Sequence, residues 1–144
     1  MAVIYFDSSA LVKLLIAEEG SELVEELWDG CDAAVSSRLA YPEVCAVLAA
    51  AQRNNLFSRK EISHAESTWE LYWEAMRLIE LNAEVAKNAG AIARSSNLRG
   101  ADSVHLASAL VVGIDDLIVA VWDRQLHAAS IAVGLRVVPA EIGL

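Results

Sequence analysis

The stretch from residue 2 to residue 16 constrains this chain most. Ala2-Val3-Ile4-Tyr5-Phe6 is an unbroken run of apolar, mostly β-branched or aromatic residues. Asp7-Ser8-Ser9 stops it, and Ala10-Leu11-Val12-Lys13-Leu14-Leu15-Ile16 follows as a helical stretch behind a ready polar cap. A strand that is apolar on both faces has to be covered on both faces, which is the situation of parallel sheets sandwiched by helices. An acid at the carboxyl end of such a strand lies on the edge where open α/β sheets hold their ligands. Asp7 is therefore the first candidate functional residue, and other acids reaching the same edge would join it in one site.

The remaining pattern alternates in the same way. The spacing predicts helices over about 8–17 and 20–28, a turn at Asp29-Gly30, and a second strand over 32–36. Ser36-Ser37 offers an N-cap to a helix reaching about residue 55. Pro42 fits that helix only if its first turn lies near Tyr41 or if its start is kinked. Ser58 and Glu61 stand at capping-box spacing ahead of a helix to about residue 77. Trp69, Tyr72, Trp73 and Met76 form one face of it. A strand over 78–81, a helix over 83–95, a polar loop over 95–100 and a helix over 101–110 led by Asp102 come next. A strand over 117–121, a helix over 124–133 with Gly134 as its C-cap, and a strand over 135–138 before Pro139 complete the chain. Strands and helices in this order predict a single domain over 1–144, a three-layer α/β/α sandwich around a central parallel sheet.

Composition agrees with a core shared by two sheet faces. The chain is 56% hydrophobic with mean hydropathy +0.38, and the excess is mostly Ala, Val and Leu inside the patterned segments. No apolar run reaches the roughly 18 residues of a membrane span, and no secretory leader pattern is present. No membrane association and a cytoplasmic location are therefore expected. Cys31 and Cys45 have neither CxxC spacing nor a zinc-pairing His, so reduced thiols are expected. The net charge of −9 excludes a protein that coats nucleic acid by bulk charge. A chain this acidic can act on an anionic substrate only through a metal ion or through local Arg and Lys.

Parallel topology places three acids at one edge. Asp7 follows the first strand, Asp123 follows the strand over 117–121, and Glu43 opens the helix entered from the second strand. Asp102 heads its own helix from a loop that can reach the same edge. Singly, Asp7, Asp102 and Asp123 could be N-caps, and Glu43 could simply favour the positive end of its helix. Jointly, four carboxylates repel one another and resist desolvation unless a cation joins them. Carboxylate oxygens with water suit Mg²⁺ or Mn²⁺, whose usual work is phosphate chemistry. An aspartyl-phosphate phosphohydrolase would need an acid two residues after Asp7, where Ser9 stands. A receiver domain would need an acidic pair before its phosphorylated Asp, and Gly-rich nucleotide loops are absent.

Four segments then match a known pattern in order and spacing over nearly the whole chain. They are Tyr5-Phe6-Asp7-Ser8-Ser9-Ala10-Leu11-Val12-Lys13, Ser37-Arg38-Leu39-Ala40-Tyr41-Pro42-Glu43-Val44, Ala101-Asp102-Ser103-Val104-His105-Leu106-Ala107, and Trp122-Asp123-Arg124-Gln125-Leu126 followed by Ala128, Ala129 and Gly134. The chain resembles the PIN domain, and within it the VapC toxins of bacterial toxin–antitoxin pairs. The resemblance implies an endoribonuclease dependent on Mg²⁺ or Mn²⁺ that opens RNA phosphodiesters with metal-activated water. It implies Asp7 and Asp102 as the main metal-binding acids, with Glu43 and Asp123 completing the quartet. Ser9 matches a hydroxyl position near the metal, or bonds its own helix backbone. His105 matches a family position and is expected to pack its helix or orient a carboxylate.

Lys13, Arg38, Arg99 and Arg124 adjoin the acids in sequence and are candidates for RNA phosphate contacts or for pairing with surface carboxylates. The family further implies a VapB-like antitoxin that inserts basic residues into the acidic site and lays an apolar helix along the toxin, and a homodimer. The Trp69, Tyr72, Trp73, Met76 stripe is either such a docking face or core packing. One position departs from the family. Val121 stands where many relatives carry Thr or Ser two residues before the fourth acid, which weakens the expectation for Asp123. That departure also supports an alternative, a degenerate PIN domain that binds RNA or a partner without catalysis; the retained four acids oppose it.

Overall fold

Strand β1 (Val3–Phe6) works as the sequence requires. Its alternate residues serve opposite layers: Ile4 and Phe6 join one buried cluster, and Tyr5 joins another. The structure, a computed structural model, describes residues 2–113 and 115–143. After β1 come α1 (Ser8–Lys13), α2 (Ser21–Gly30), β2 (Ala33–Ser37), α3 (Ala40–Arg53) and α4 (Arg59–Ala75). They are followed by β3 (Arg77–Ile79), α5 (Ala83–Ser96), α6 (Gly100–Val112), β4 (Ile118–Ala120), α7 (Arg124–Ala132) and β5 (Arg136–Val138). The sheet runs β3-β2-β1-β4-β5 and every pairing is parallel. Strand order therefore reverses between β1 and β4, the crevice where such sheets bind ligands.

The two faces of the sheet are covered by different helices. Phe6, Ala34 and Ala120 pack with Leu11 of α1, Val24 of α2, Val44 and Leu48 of α3 and Trp69 of α4. Tyr5, Val35, Val119 and Val121 pack with Leu106 of α6, Leu126 of α7 and Leu98. This is the expected three-layer arrangement. Among the described residues no helix is long and apolar enough to cross a membrane, and Cys31 and Cys45 are free thiols.

Several boundaries differ from the sequence pattern, each for a local reason. Ser36 and Ser37 do not cap α3; they end β2. Ser36 Oγ donates to the carbonyl of Phe6 at 2.7 Å, and the N–H of Leu39 donates to Ser37 Oγ at 3.1 Å. Helix α3 begins at Ala40, so Pro42 falls in the first turn, where its missing N–H has no helical partner to lose. Helix α1 stops at Lys13, and the pattern that continued to residue 17 closes in tighter bonds from Leu14 N to Leu11 O and from Leu15 N to Val12 O. Asp29 and Gly30 make the last turn of α2 instead of a separate turn. The polar loop over 95–100 shrinks to three residues, because α5 runs to Ser96, Asn97 ends it at φ +52°, and α6 starts at Gly100.

Helix α4 starts as its sequence predicts, with both hydrogen bonds of the Ser58–Glu61 capping box in place. Its aromatic stripe is core. Trp69 and Met76 are buried, and half-buried Tyr72 and Trp73 stack edge-on against Trp28 and Tyr41 at centroid separations of 4.9 and 5.0 Å. Trp69→Ala should therefore lower unfolding free energy by about 3–5 kcal/mol. Ser58→Ala should lower it by about 1 kcal/mol. Urea unfolding followed by circular dichroism measures both, and a Trp69→Ala loss no larger than that of Ser58→Ala would rule out this packing.

Candidate active site

Asp7 and Asp123 are brought to the same edge because β1 and β4 pair directly. Asp7 caps α1: its Oδ1 accepts from the N–H of Ala10 at 2.9 Å and from Ser9 Oγ at 2.6 Å. Ser9 Oγ also accepts from the N–H of Trp122 at 3.0 Å, which ties the end of β1 to the end of β4. Both bonds to Asp7 fall on one oxygen, and among the described residues no donor reaches its Oδ2. The carboxylate is only 3% exposed. Burial pushes its pKa up to about 6, against the pull of His105, Ser9 and Ala10 and with a further push from Asp123.

Asp123 caps α7 through Oδ1, which accepts from the N–H of Leu126 at 2.9 Å. Asp102 is not a cap; it sits in the first turn of α6, whose N-cap residue is Arg99. Burial and the charge of Asp123 raise the proton affinity of Asp102, and Arg99 opposes them. The Arg99 guanidinium joins the two acids, with Nε 3.4 Å from Asp102 Oδ2 and Nη2 3.8 Å from Asp123 Oδ2.

Glu43, in the first turn of α3, belongs to a different hydrogen-bonded group. Its Oε1 accepts from Ser8 Oγ at 2.5 Å and from His105 Nε2 at 2.6 Å. A carboxylate can only accept, so Nε2 carries the imidazole proton. His105 Nδ1 lies 2.7 Å from the Tyr5 hydroxyl. Burial holds the Tyr5 phenol well above its usual pKa, so it keeps its proton and donates to Nδ1 whenever the ring is neutral. Burial also presses the His105 pKa down, but the hydrogen bond to Glu43 and the charges of Asp7, Glu43 and Asp102 outweigh it, leaving a raised value. For Glu43 burial pushes upward and is outweighed by His105 and Ser8, so the group stays ionised below its usual range.

All four predicted acids therefore lie at the carboxyl edge, but they form two sets. Glu43 is locked by His105 and Ser8, whereas Asp7, Asp102 and Asp123 keep oxygens free of backbone duties. Among the described residues no three acid, imidazole or thiol groups are already gathered closely enough to enclose an ion. The donor set nonetheless fits a hard divalent cation: the groups are carboxylates, the charge of Asp123 raises the proton affinity of Asp7 and of Asp102, and a guanidinium already stands between Asp102 and Asp123.

Of the four predicted cations only Arg99 reaches the acids. Lys13 is buried, pairs with Glu18 at 3.1 Å, donates to the carbonyl of Glu19 at 2.6 Å and lies over the Trp122 ring. Arg38 pairs with Glu80, and Arg124 donates to the carbonyl of Gly143. Val121 is fully buried in the core cluster of Tyr5, and Ser9 is the hydroxyl that bridges β1 and β4. Sequence reasoning missed Tyr5 and Ser8. Tyr5 reads as a core strand residue, and only the polar Asp7-Ser8-Ser9 run hints at Ser8.

The PIN domain family matches residues 4–130. The chain is 58% identical over 142 residues to Ribonuclease VapC49 of Mycobacterium tuberculosis (strain ATCC 25618 / H37Rv), covering 99% of each chain. A solved toxin–antitoxin complex from Klebsiella pneumoniae has TM-score 0.67 at 17% identity, covering 99% of this chain and 100% of that one. Mycobacterium tuberculosis VapC20, a sarcin–ricin-loop-cleaving toxin, has TM-score 0.66 at 17% identity, covering 88% and 94%.

Burial of Asp7 has a consequence for stability. Its folded pKa of about 6 exceeds the ordinary 3.8, so the metal-free fold loses stability as pH rises through that interval. Asp7→Asn keeps the acceptor oxygen and removes the charge. The variant should be more stable than wild type by about 1–3 kcal/mol at pH 7, with the gap closing toward pH 4. Urea unfolding in EDTA across that range tests this, and a variant no more stable than wild type at pH 7 would refute it.

Proposed function

We infer the function from one premise: the chain belongs to the PIN-domain family, among its VapC ribonucleases. We propose that it is an endoribonuclease dependent on Mg²⁺ or Mn²⁺ and the toxin of a toxin–antitoxin pair, a single domain acting in the cytoplasm. The observation that carries this reading is the group of Asp7, Asp102 and Asp123 at the crevice between β1 and β4: burial and the charge of Asp123 raise the proton affinity of Asp7 and Asp102, and a guanidinium joins Asp102 to Asp123. RNA as substrate is supported by the ribonuclease names of its relatives, and an antitoxin partner by the toxin–antitoxin complex that shares its fold. An acidic edge of this kind would accept basic side chains from that antitoxin, and a second copy of the chain would complete a homodimer.

Asp7, Asp102 and Asp123 would hold the metal, which when bound supplies an activated water and offsets the charge of the opening phosphodiester. Ser9 and the N–H of Ala10 fix Asp7 on one oxygen and leave the other for the ion. Glu43 stays ionised, and its Oε2 is the atom suited to take a proton from the attacking water, because Oε1 is held by Ser8 and His105. His105 keeps its proton at Nε2 and so orients Glu43 without competing for that role. A binding-only domain is the second reading, favoured by the lack of a gathered three-ligand cluster among the described residues.

Antitoxin-free protein incubated with total RNA separates the two. Discrete cleavage should require Mg²⁺ or Mn²⁺ and stop in EDTA. Ser9→Ala should lower the rate ~10–100-fold, and Asp7→Asn should lower it further. Folded, metal-loaded protein that cleaves no RNA would favour the binding-only domain.

A further inference from the structure

Arg99 has a fixed backbone and an exposed side chain. Its carbonyl accepts from both the N–H and the Oγ of Ser103, each at 2.9 Å, which pins it at the head of α6. Its side chain is 77% exposed, and among the described residues its polar contacts are with Asp102 and Asp123. Both contacts fall on Oδ2, and Asp123 has already given Oδ1 to the backbone of α7. The guanidinium is thus a monovalent cation across two of the three carboxylates that would hold a divalent one. Ion pairs this long and this exposed are weak, so the side chain gives way readily to a stronger competitor.

Beside it opens a cavity of about 590 Å³ lined by Asn97, Arg99, Trp122, Asp123, Arg124 and Gln125. The Arg124 guanidinium is tied to the carbonyl of Gly143. Arg99, displaced from the acids, would be the cation that can enter this cavity.

We propose that Arg99 and the metal ion compete for Asp102 and Asp123, so that metal entry releases Arg99 into the adjacent cavity to bind a phosphate of the RNA strand. The inference rests on the metal-dependent reading of the site. A guanidinium fork suits phosphate oxygens as well as carboxylates, so one side chain serves both partners in turn. Without metal, the charge of Arg99 is partly offset by the acids and the crevice repels an anionic strand. With metal, two carboxylates are neutralised and a phosphate-binding group is released together. Linkage requires the converse: bound RNA holds Arg99 away from the acids and tightens metal binding by the same factor.

The test titrates Mn²⁺ alone into the full chain by calorimetry, using wild type, Arg99→Gln, Arg124→Gln and Asp7→Asn. Arg99→Gln should bind Mn²⁺ roughly two- to tenfold more tightly than wild type. Arg124→Gln removes the same charge from the same cavity and should change the affinity less. A nuclease-resistant 2′-O-methyl RNA, followed by fluorescence anisotropy with and without Mn²⁺, reads the coupling. Mn²⁺ should tighten wild-type binding, and that factor should shrink several-fold in Arg99→Gln. Unchanged or weaker Mn²⁺ binding in Arg99→Gln, an equal gain in Arg124→Gln, or an undiminished coupling factor would overturn the competition. Wild type that binds no Mn²⁺, or Asp7→Asn that binds it as wild type does, would instead overturn the metal site itself.

Discussion

Burying a carboxylate at the middle of the sheet is the constraint on which this site depends. Asp7 follows the central strand, and β2 and β4 flank that strand on either side. An ionised group there is held against its desolvation by a few oriented donors: Ser9 Oγ, the N–H of Ala10 and the nearby imidazole. Ser9 does this while accepting from Trp122, so the same hydroxyl that orients the acid also fixes β4 against β1. The position of Asp123, one residue beyond Trp122, follows from that tie. Fold and site share their hydrogen bonds at this point.

The crevice separates two kinds of work between two sets of acids. Glu43 is bound into a chain of hydrogen bonds that runs through His105 to Tyr5, entirely within the protein. Such a chain sets the charge and direction of one oxygen and needs nothing from outside. Asp7 has donors on one oxygen only, and among the described residues Asp102 and Asp123 lack an equivalent set of buried donors. Their mutual repulsion is relieved by the imidazole and by one exposed guanidinium. Surplus negative charge, held by a rigid scaffold with weak internal compensation, is what would give a cation from solution its affinity. On the metal-dependent reading, the cost to the metal-free fold and the affinity for metal would share one electrostatic origin.

Much of this was legible in the sequence because topology places residues before side-chain detail matters. β-Branched and aromatic runs defined β1 and β4, and parallel order put Asp7, Glu43 and Asp123 at one edge. The failures are equally physical. A serine at the end of a strand resembles a helix cap, yet Ser36 turned to the carbonyl of Phe6 on the neighbouring strand. Neighbours in sequence were not neighbours in space: Arg38 lies five residues from Glu43 and pairs with Glu80, 42 residues further along. The Tyr5–His105 bond spans 100 residues, between a position that reads as core strand and one expected to pack its helix or orient a carboxylate. No local pattern announces such a pair.

The charge balance of the chain now takes a sharper form. A net charge of −9 opposes an RNA partner only as far as its field reaches. Screening limits that reach to about 8 Å at physiological ionic strength, so acids on distant helices are largely muted. What an approaching phosphate meets is the crevice itself, with three carboxylates and the cations that answer them. Lys13, Arg38 and Arg124 have their charges or donors engaged elsewhere, by Glu18, Glu80 and the carbonyl of Gly143. Arg99 is engaged by the very acids that would repel a phosphate. Attraction and repulsion at this edge are therefore not independent. On the proposal above, a divalent ion on the acids would remove the repulsion and free the attraction in one step, and an acidic protein could then hold an acidic polymer without a basic surface.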